Sequence, residues 1–197
     1  ADAVGQVRKT APDKPIWMTE GNAIRDAIGN GMYLHTVLGR NNEDVMHTSN
    51  LLVRHIVSML SQGAQREFLY SMHSHTHFGR PDTWATLVCE DGMLHPSGAA
   101  HSAMAWLLED TRFVKTLPLA EGVWGYLFEA RDGSRSVAVV MRDPKQREYA
   151  LPGGSKQTTL QISDIFGNAL RAGAPLGATP VYRSEEHTSE LQSLAYL

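Results

Sequence analysis

The sequence predicts an α/β plus all-β chain, in which parallel β/α units are followed by a small antiparallel β-sandwich. Three observations carry this expectation. In the first half, short apolar segments alternate with long helical patterns across short connections, the signature of parallel β/α units. From about Leu117 the pattern changes to short segments about ten residues apart, several of them alternating apolar and polar. Between two of those segments stands "RDGS", Arg131 to Ser134, a hairpin turn of the Asp-Gly kind.

The elements follow in order. Ala1 to Thr10 reads as the end of a helix, stopped by "APDKP". Ile16 to Thr19 suits a buried strand, with Pro15 tolerated at its first position. That strand runs into Glu20, and Gly21-Asn22 then turns the chain into a loop rich in Gly and Asn. A long helix is predicted from about Glu43 to Gln62, because Val45, Leu52, Ile56, Met59 and Leu60 recur near helical spacing and Gly63 closes it. A second strand covers Glu67 to Ser74. After a loop holding Gly79, Pro81 and Asp91-Gly92, "HPSG" opens another helix, about Ser97 to Glu109. Then come "GVWGYLFEA", "SRSVAVVMR", "REYALP", "KQTTLQISD" and "TPVYR", the expected strands of the sandwich. The division expected is 1–116 for the β/α part, 117–182 for the sandwich and 183–197 for a tail, with the boundary near Thr111 to Glu121.

Composition narrows the function. A net charge of -3 and a pI near 6.3 leave no basic footprint, so neither nucleic acid nor an anionic membrane is expected as a partner. No apolar run approaches the ~20 residues that span a bilayer. The one cysteine, Cys89, excludes an internal disulfide and a Cys-based zinc site, and it reads as a small buried hydrophobe. The compartment is not fixed by these numbers; secretion or a periplasmic location is compatible with them. No cofactor is expected, and the oligomeric state is left open.

The two ends read as foreign to a complete protein. Ala1 to Lys9 resembles the back half of a helix, so the chain is expected to start inside a larger protein. "RSEEHTSELQS", Arg183 to Ser193, resembles the frame translation of a common sequencing-adapter oligonucleotide. On that reading residues 183–197 add nothing to the core; the competing reading is a short amphipathic terminal helix using Leu191 and Leu194.

Glu20 is the first candidate for chemistry. In a β/α barrel, catalytic groups sit at the C-terminal ends of strands and in the loops that follow. A carboxylate at such an end, before a Gly that lets the backbone leave the rim, fits that position; the plain alternative is a surface glutamate or one paired with Arg25. "HSHTH" offers a second candidate. His73, His75 and His77 alternate, so in an extended chain they share one side, as metal ligands, with His73 and His75 as polar groups lining a substrate cleft, or as plain structure. We take His73 and His75 as substrate-binding and expect no metal. Trp84, after "RPDT", is placed to stack on a substrate ring, with loop packing as the alternative, whereas Trp17, Trp106 and Trp124 read as core. Tyr33 and His35 lie in the loop after Glu20, and Glu90-Asp91 reads as a solvated turn.

"KPIWMTEGN", preceded by a helix and "APD", resembles the seventh-strand segment of retaining glycoside hydrolases of the clan A (β/α)8-barrel superfamily. The following order is also similar: a helix, the strand "EFLYSMHSH", a last helix beginning "HPSGAAHSAMAWLLED", and a tail with "GVWGYLFEARDGSRSVAVVM" and "SDIFGNAL…TPVY" like the accessory sandwich of several such families. The resemblance covers Ala1 to about Tyr182. It implies the last two β/α units of a partial (β/α)8 barrel, a carbohydrate substrate, and Glu20 as nucleophile of a double displacement. It also implies that the acid/base lies on a strand before Ala1, so this piece alone would be inactive. Two alternatives stand beside it: a non-catalytic carbohydrate-binding or scaffold protein, and a metal-dependent hydrolase on the same barrel.

Overall fold

The computed structural model describes residues 3–21, 42–69, 87, 88, 92–143, 149, 150, 160–171 and 173–186. The chain divides into two compact units, Ala1–Ser102 and Ala103–Leu197.

The first unit is built around a parallel strand pair. Helix α1 (Ala3–Thr10) leads through a turn to strand β1 (Trp17–Gly21); helix α2 (Asn42–Ser61) then crosses to strand β2 (Arg66–Leu69), which lies parallel to β1. A β-α-β crossover is what a parallel pair requires, because the second strand must begin at the end where the first began. Ile16 and Met18, two apart, turn to the same side and pack with Val4 of α1, Met59 of α2 and Ala64. Leu52, Val53, Ile56 and Val57 of α2 are buried as well.

The end of α2 shows why the connection to β2 is short. Gly63 has φ 99° and donates to Leu60 O at 3.0 Å, while Ala64 N donates to Met59 O at 3.1 Å. This is a Schellman cap: glycine supplies the left-handed residue, and Ala64 meets Met59 in the apolar contact that usually accompanies it. Two residues later the strand has begun, with Gln65 N donating to Ile16 O at 2.8 Å. Arg8 ties the same corner together, its guanidinium donating to the carbonyls of Pro12, Lys14 and Gly63.

Helix α3 (Pro96–Leu108) begins with proline at its first turn, where no N–H is missed, and the amides of Gly98 and Ala99 donate to His95 O. It runs across the division between the units, ending where Asp110 takes φ 55°.

The second unit is antiparallel. Strands β3 (Thr111–Ala120), β4 (Val123–Ala130), β5 (Arg135–Arg142), β7 (Leu160–Ser163) and β9 (Val181–Glu186) form one sheet in the order β3-β4-β5-β9-β7; β6 (Tyr149–Ala150) and β8 (Pro175–Leu176) form a two-stranded one. The β4–β5 hairpin closes through the expected Asp-Gly turn, with Gly133 at φ 73° and Asp132 accepting from Ser134 N at 3.0 Å. One face of the large sheet carries Leu117, Val123, Leu127, Ala138, Val140, Ile162 and Val181, packed with Leu176 of β8. Central β5 is buried from Ser136 to Arg142, which explains its unbroken apolar run.

Three findings adjust the expectations. Strand structure starts at Thr111, six residues before the change of pattern at Leu117; β3 is an edge strand with two register shifts and with exposed Lys115 and Pro118, features that hide it from an alternation count. β8, only two residues long, also escaped notice. The third concerns the tail. β9 continues through Arg183, Ser184, Glu185 and Glu186, pairing with both β5 and β7, and Arg183 and Glu185 are buried at 5% and 1% exposure. The chain beyond Tyr182 therefore contributes to the core up to Glu186; residues 187–197 lie outside the described residues.

Candidate active site

The site expected from the sequence starts at the end of β1. Glu20 is the fourth residue of that strand and Gly21 the last. Met18 pairs with Glu67 and Gly21 with Leu69, so β1 takes three steps where β2 takes two. The extra residue, a bulge or irregularity of the ladder, falls between Met18 and Gly21, the stretch that holds Glu20. A bulge breaks the period-two alternation of a strand. Bulges also recur beside active sites, where they terminate pairing and re-aim side chains.

The opposite face of the pair is open. Trp17 is 50% and Phe68 46% exposed, their ring centroids 6.2 Å apart at 47°, and the Arg66 guanidinium carbon stands 4.9 Å from the Trp17 ring centroid. Trp17, expected in the core, is thus corrected: Ile16 and Met18 take the covered face, and Trp17 must take the other. Trp106 is corrected too, being 66% exposed on α3, whose nearby Met104 and Leu107 are buried. Trp124 on β4 is half-buried.

Of the remaining predicted residues, His73, His75, His77 and Trp84 lie outside the described residues, as do Tyr33, His35, Cys89 and Glu90. The structure describes the strand that leads to the histidines, β2, and not the histidines themselves. Among the described residues no group of three His, Cys, Asp or Glu side chains is arranged to hold a metal ion.

One polar group in this unit escaped the sequence reading. The Glu67 side chain is 3% exposed on the covered side of β2, with Oε1 2.8 Å from Nε2 of His55 on α2. The available signal was a glutamate and a leucine alternating at positions 67 and 69, with a histidine among the apolar positions of the preceding helix.

No protein-family model matches the chain, and no curated protein is similar to it in sequence. Among solved structures, the chain is similar to a family 39 glycoside hydrolase from the gut symbiont Bacteroides cellulosilyticus WH2, with a TM-score of 0.61 and 18% sequence identity over 87% of this chain. The match covers 34% of that chain, so this sequence spans about a third of its neighbour's length. The likeness establishes a glycoside hydrolase-like fold of mixed strands and helices, with mostly antiparallel sheets.

Proposed function

We propose that the chain is the C-terminal part of a retaining glycoside hydrolase, carrying the last two β/α units of its barrel and the β-domain that follows, with Glu20 as nucleophile. One observation carries the proposal: in a chain with a glycoside hydrolase-like fold, Glu20 lies in the irregular stretch at the C-terminal end of a strand that pairs in parallel with the next. In a barrel that end is where chemistry is done. The open Trp17–Arg66–Phe68 face is then the inner face of the barrel, covered in the longer protein by the strands that complete the ring.

The chemistry follows from the carboxylate. Its oxygen attacks the anomeric carbon as the bond to the leaving oxygen breaks, and a second carboxyl gives that oxygen its proton. Water, deprotonated by the same second group, then releases the sugar from Glu20. The second carboxyl must stand about 5–5.5 Å from the first, and in this reading it belongs to an earlier strand of the longer protein. His73, His75 and Trp84 would line the sugar site beyond β2, with hydroxyl hydrogen bonds and ring stacking as their roles.

The test is made in the longer protein. Glu20→Ala should abolish glycoside hydrolysis while leaving the fold intact, and azide or formate should partly restore turnover by standing in for the lost nucleophile. Near-normal activity after the substitution would sink the assignment. Loss of activity on chelation instead would favour a metal-dependent hydrolase.

A further inference from the structure

Glu67 has a buried carboxylate that, among the described residues, is paired with His55 of α2. Its Oε1 lies 2.8 Å from His55 Nε2, but donor and acceptor are not aligned as a hydrogen bond, and Oε2 has no hydrogen-bond partner among the described residues. A carboxylate taken out of water needs a nearby positive charge, or its burial opposes the fold. The His55 side chain is 31% exposed, so its ring can exchange a proton with solvent while Glu67 stays dry.

We propose that His55 and Glu67 form a pH-dependent clasp between α2 and β2, closed while the imidazole is protonated and slack once it is neutral. The inference is independent of the glycosidase reading. On α2, Arg54 directs its Nε to Asn50 Oδ1 at 2.6 Å. On β1 the residue opposite Glu67 is Met18, and on β2 the neighbouring Arg66 stands beside Trp17 on the other face. From α3, His101 feels the charge of Glu67.

The two histidines respond in opposite senses. The contact with Glu67 raises the pKa of His55 above 6.5; desolvation opposes this and the carboxylate charge reinforces it. Burial lowers that of His101 below 6.5, against the pull of the same carboxylate. The stability that His55 contributes is complete below pH 6.5 and is lost as pH rises through its raised value. That of His101, buried neutral, is complete above 6.5 and is lost as pH falls through its lowered value. The two histidines thus act on opposite sides of 6.5: burial of His101 sets the acid-side loss, and the clasp of His55 with Glu67 sets the alkaline-side loss.

The experiment is a ring-proton NMR titration of the full 197-residue chain, with His55→Gln assigning the resonance, alongside thermal unfolding from pH 6.5 upward. His55 should titrate above 6.5 in the wild type and at or below it in Glu67→Gln. The wild-type Tm should fall on the alkaline side as His55 loses its proton, and His55→Gln should remove that fall. A wild-type His55 that titrates at or below 6.5, or an alkaline fall that survives in His55→Gln, would overturn the clasp. Should Glu67→Gln fail to fold, the wild-type titration and His55→Gln still decide.

Discussion

Gly98 shows how far a single position is fixed by its neighbours. It sits in the first turn of α3, where alanine is ordinarily the better helix former by about 1 kcal/mol. A Cβ at this position would stand 2.4 Å from Leu87 O and 2.5 Å from Leu94 Cδ1. Leu87 O is backbone, and it already accepts from His95 N at 2.9 Å, so it cannot step aside cheaply. The clash outweighs the propensity gain. Gly98→Ala should lower stability by about 1–3 kcal/mol, the range for forcing a methyl into a filled space, as read by denaturant unfolding. A variant as stable as the wild type would show that the segment carrying Leu87 yields.

At the scale of the element, β9 is the strand whose composition contradicts its place. Arg183 and Glu185 lie on the same face as Val181, next to Ala138, Ile162 and Leu160 in register, positions suited to apolar side chains. They are buried instead as a pair with N···O 3.3 Å, and Arg183 Nε has no hydrogen-bond partner among the described residues. A buried pair with loose geometry recovers little of its desolvation cost. Glu185→Ala alone should destabilise the sheet by about 3–5 kcal/mol, because it strands the guanidinium; replacing both residues with valine should be neutral or stabilising by about 1–4 kcal/mol. Equal losses in the single and double variants, measured by thermal unfolding, would refute that account. The same strand marks where sequence reading stops. The helices and the β4–β5 hairpin were legible, since helical spacing, a closing glycine and an Asp-Gly turn are local signals. In the candidate site, Glu20 at the strand end was legible and the bulge around it was not, because a bulge exists only relative to the partner strand. The same holds for the polar end of β9 and for the burial of Glu67, each decided by a partner distant in sequence.

At the scale of the whole molecule, the open face of the β1–β2 pair is the feature by which the proposed barrel can be tested. Trp17 and Phe68 are about half exposed here, and the proposed longer protein would cover them. The component of iodide quenching that disappears on Trp17→Phe should therefore be large in the 197-residue chain and small in the longer polypeptide. Equal quenching in both would mean that this face looks onto solvent in the complete protein as well, and the barrel reading would fall. The position of β9 has a further consequence. It is the last described strand in sequence, yet it lies between β5 and β7. On a ribosome, this interior strand is therefore made after both of its neighbours. The β3-β4-β5 meander can assemble early, but β5 waits with an unpaired edge, and β7 has no neighbour in the sheet until residues 181–186 emerge. An apolar strand with an open edge is a template for pairing with other chains. Nascent chains stalled before residue 181 should therefore engage chaperones more than chains stalled well beyond 186, and the last strand to be made is the one that ends that exposure.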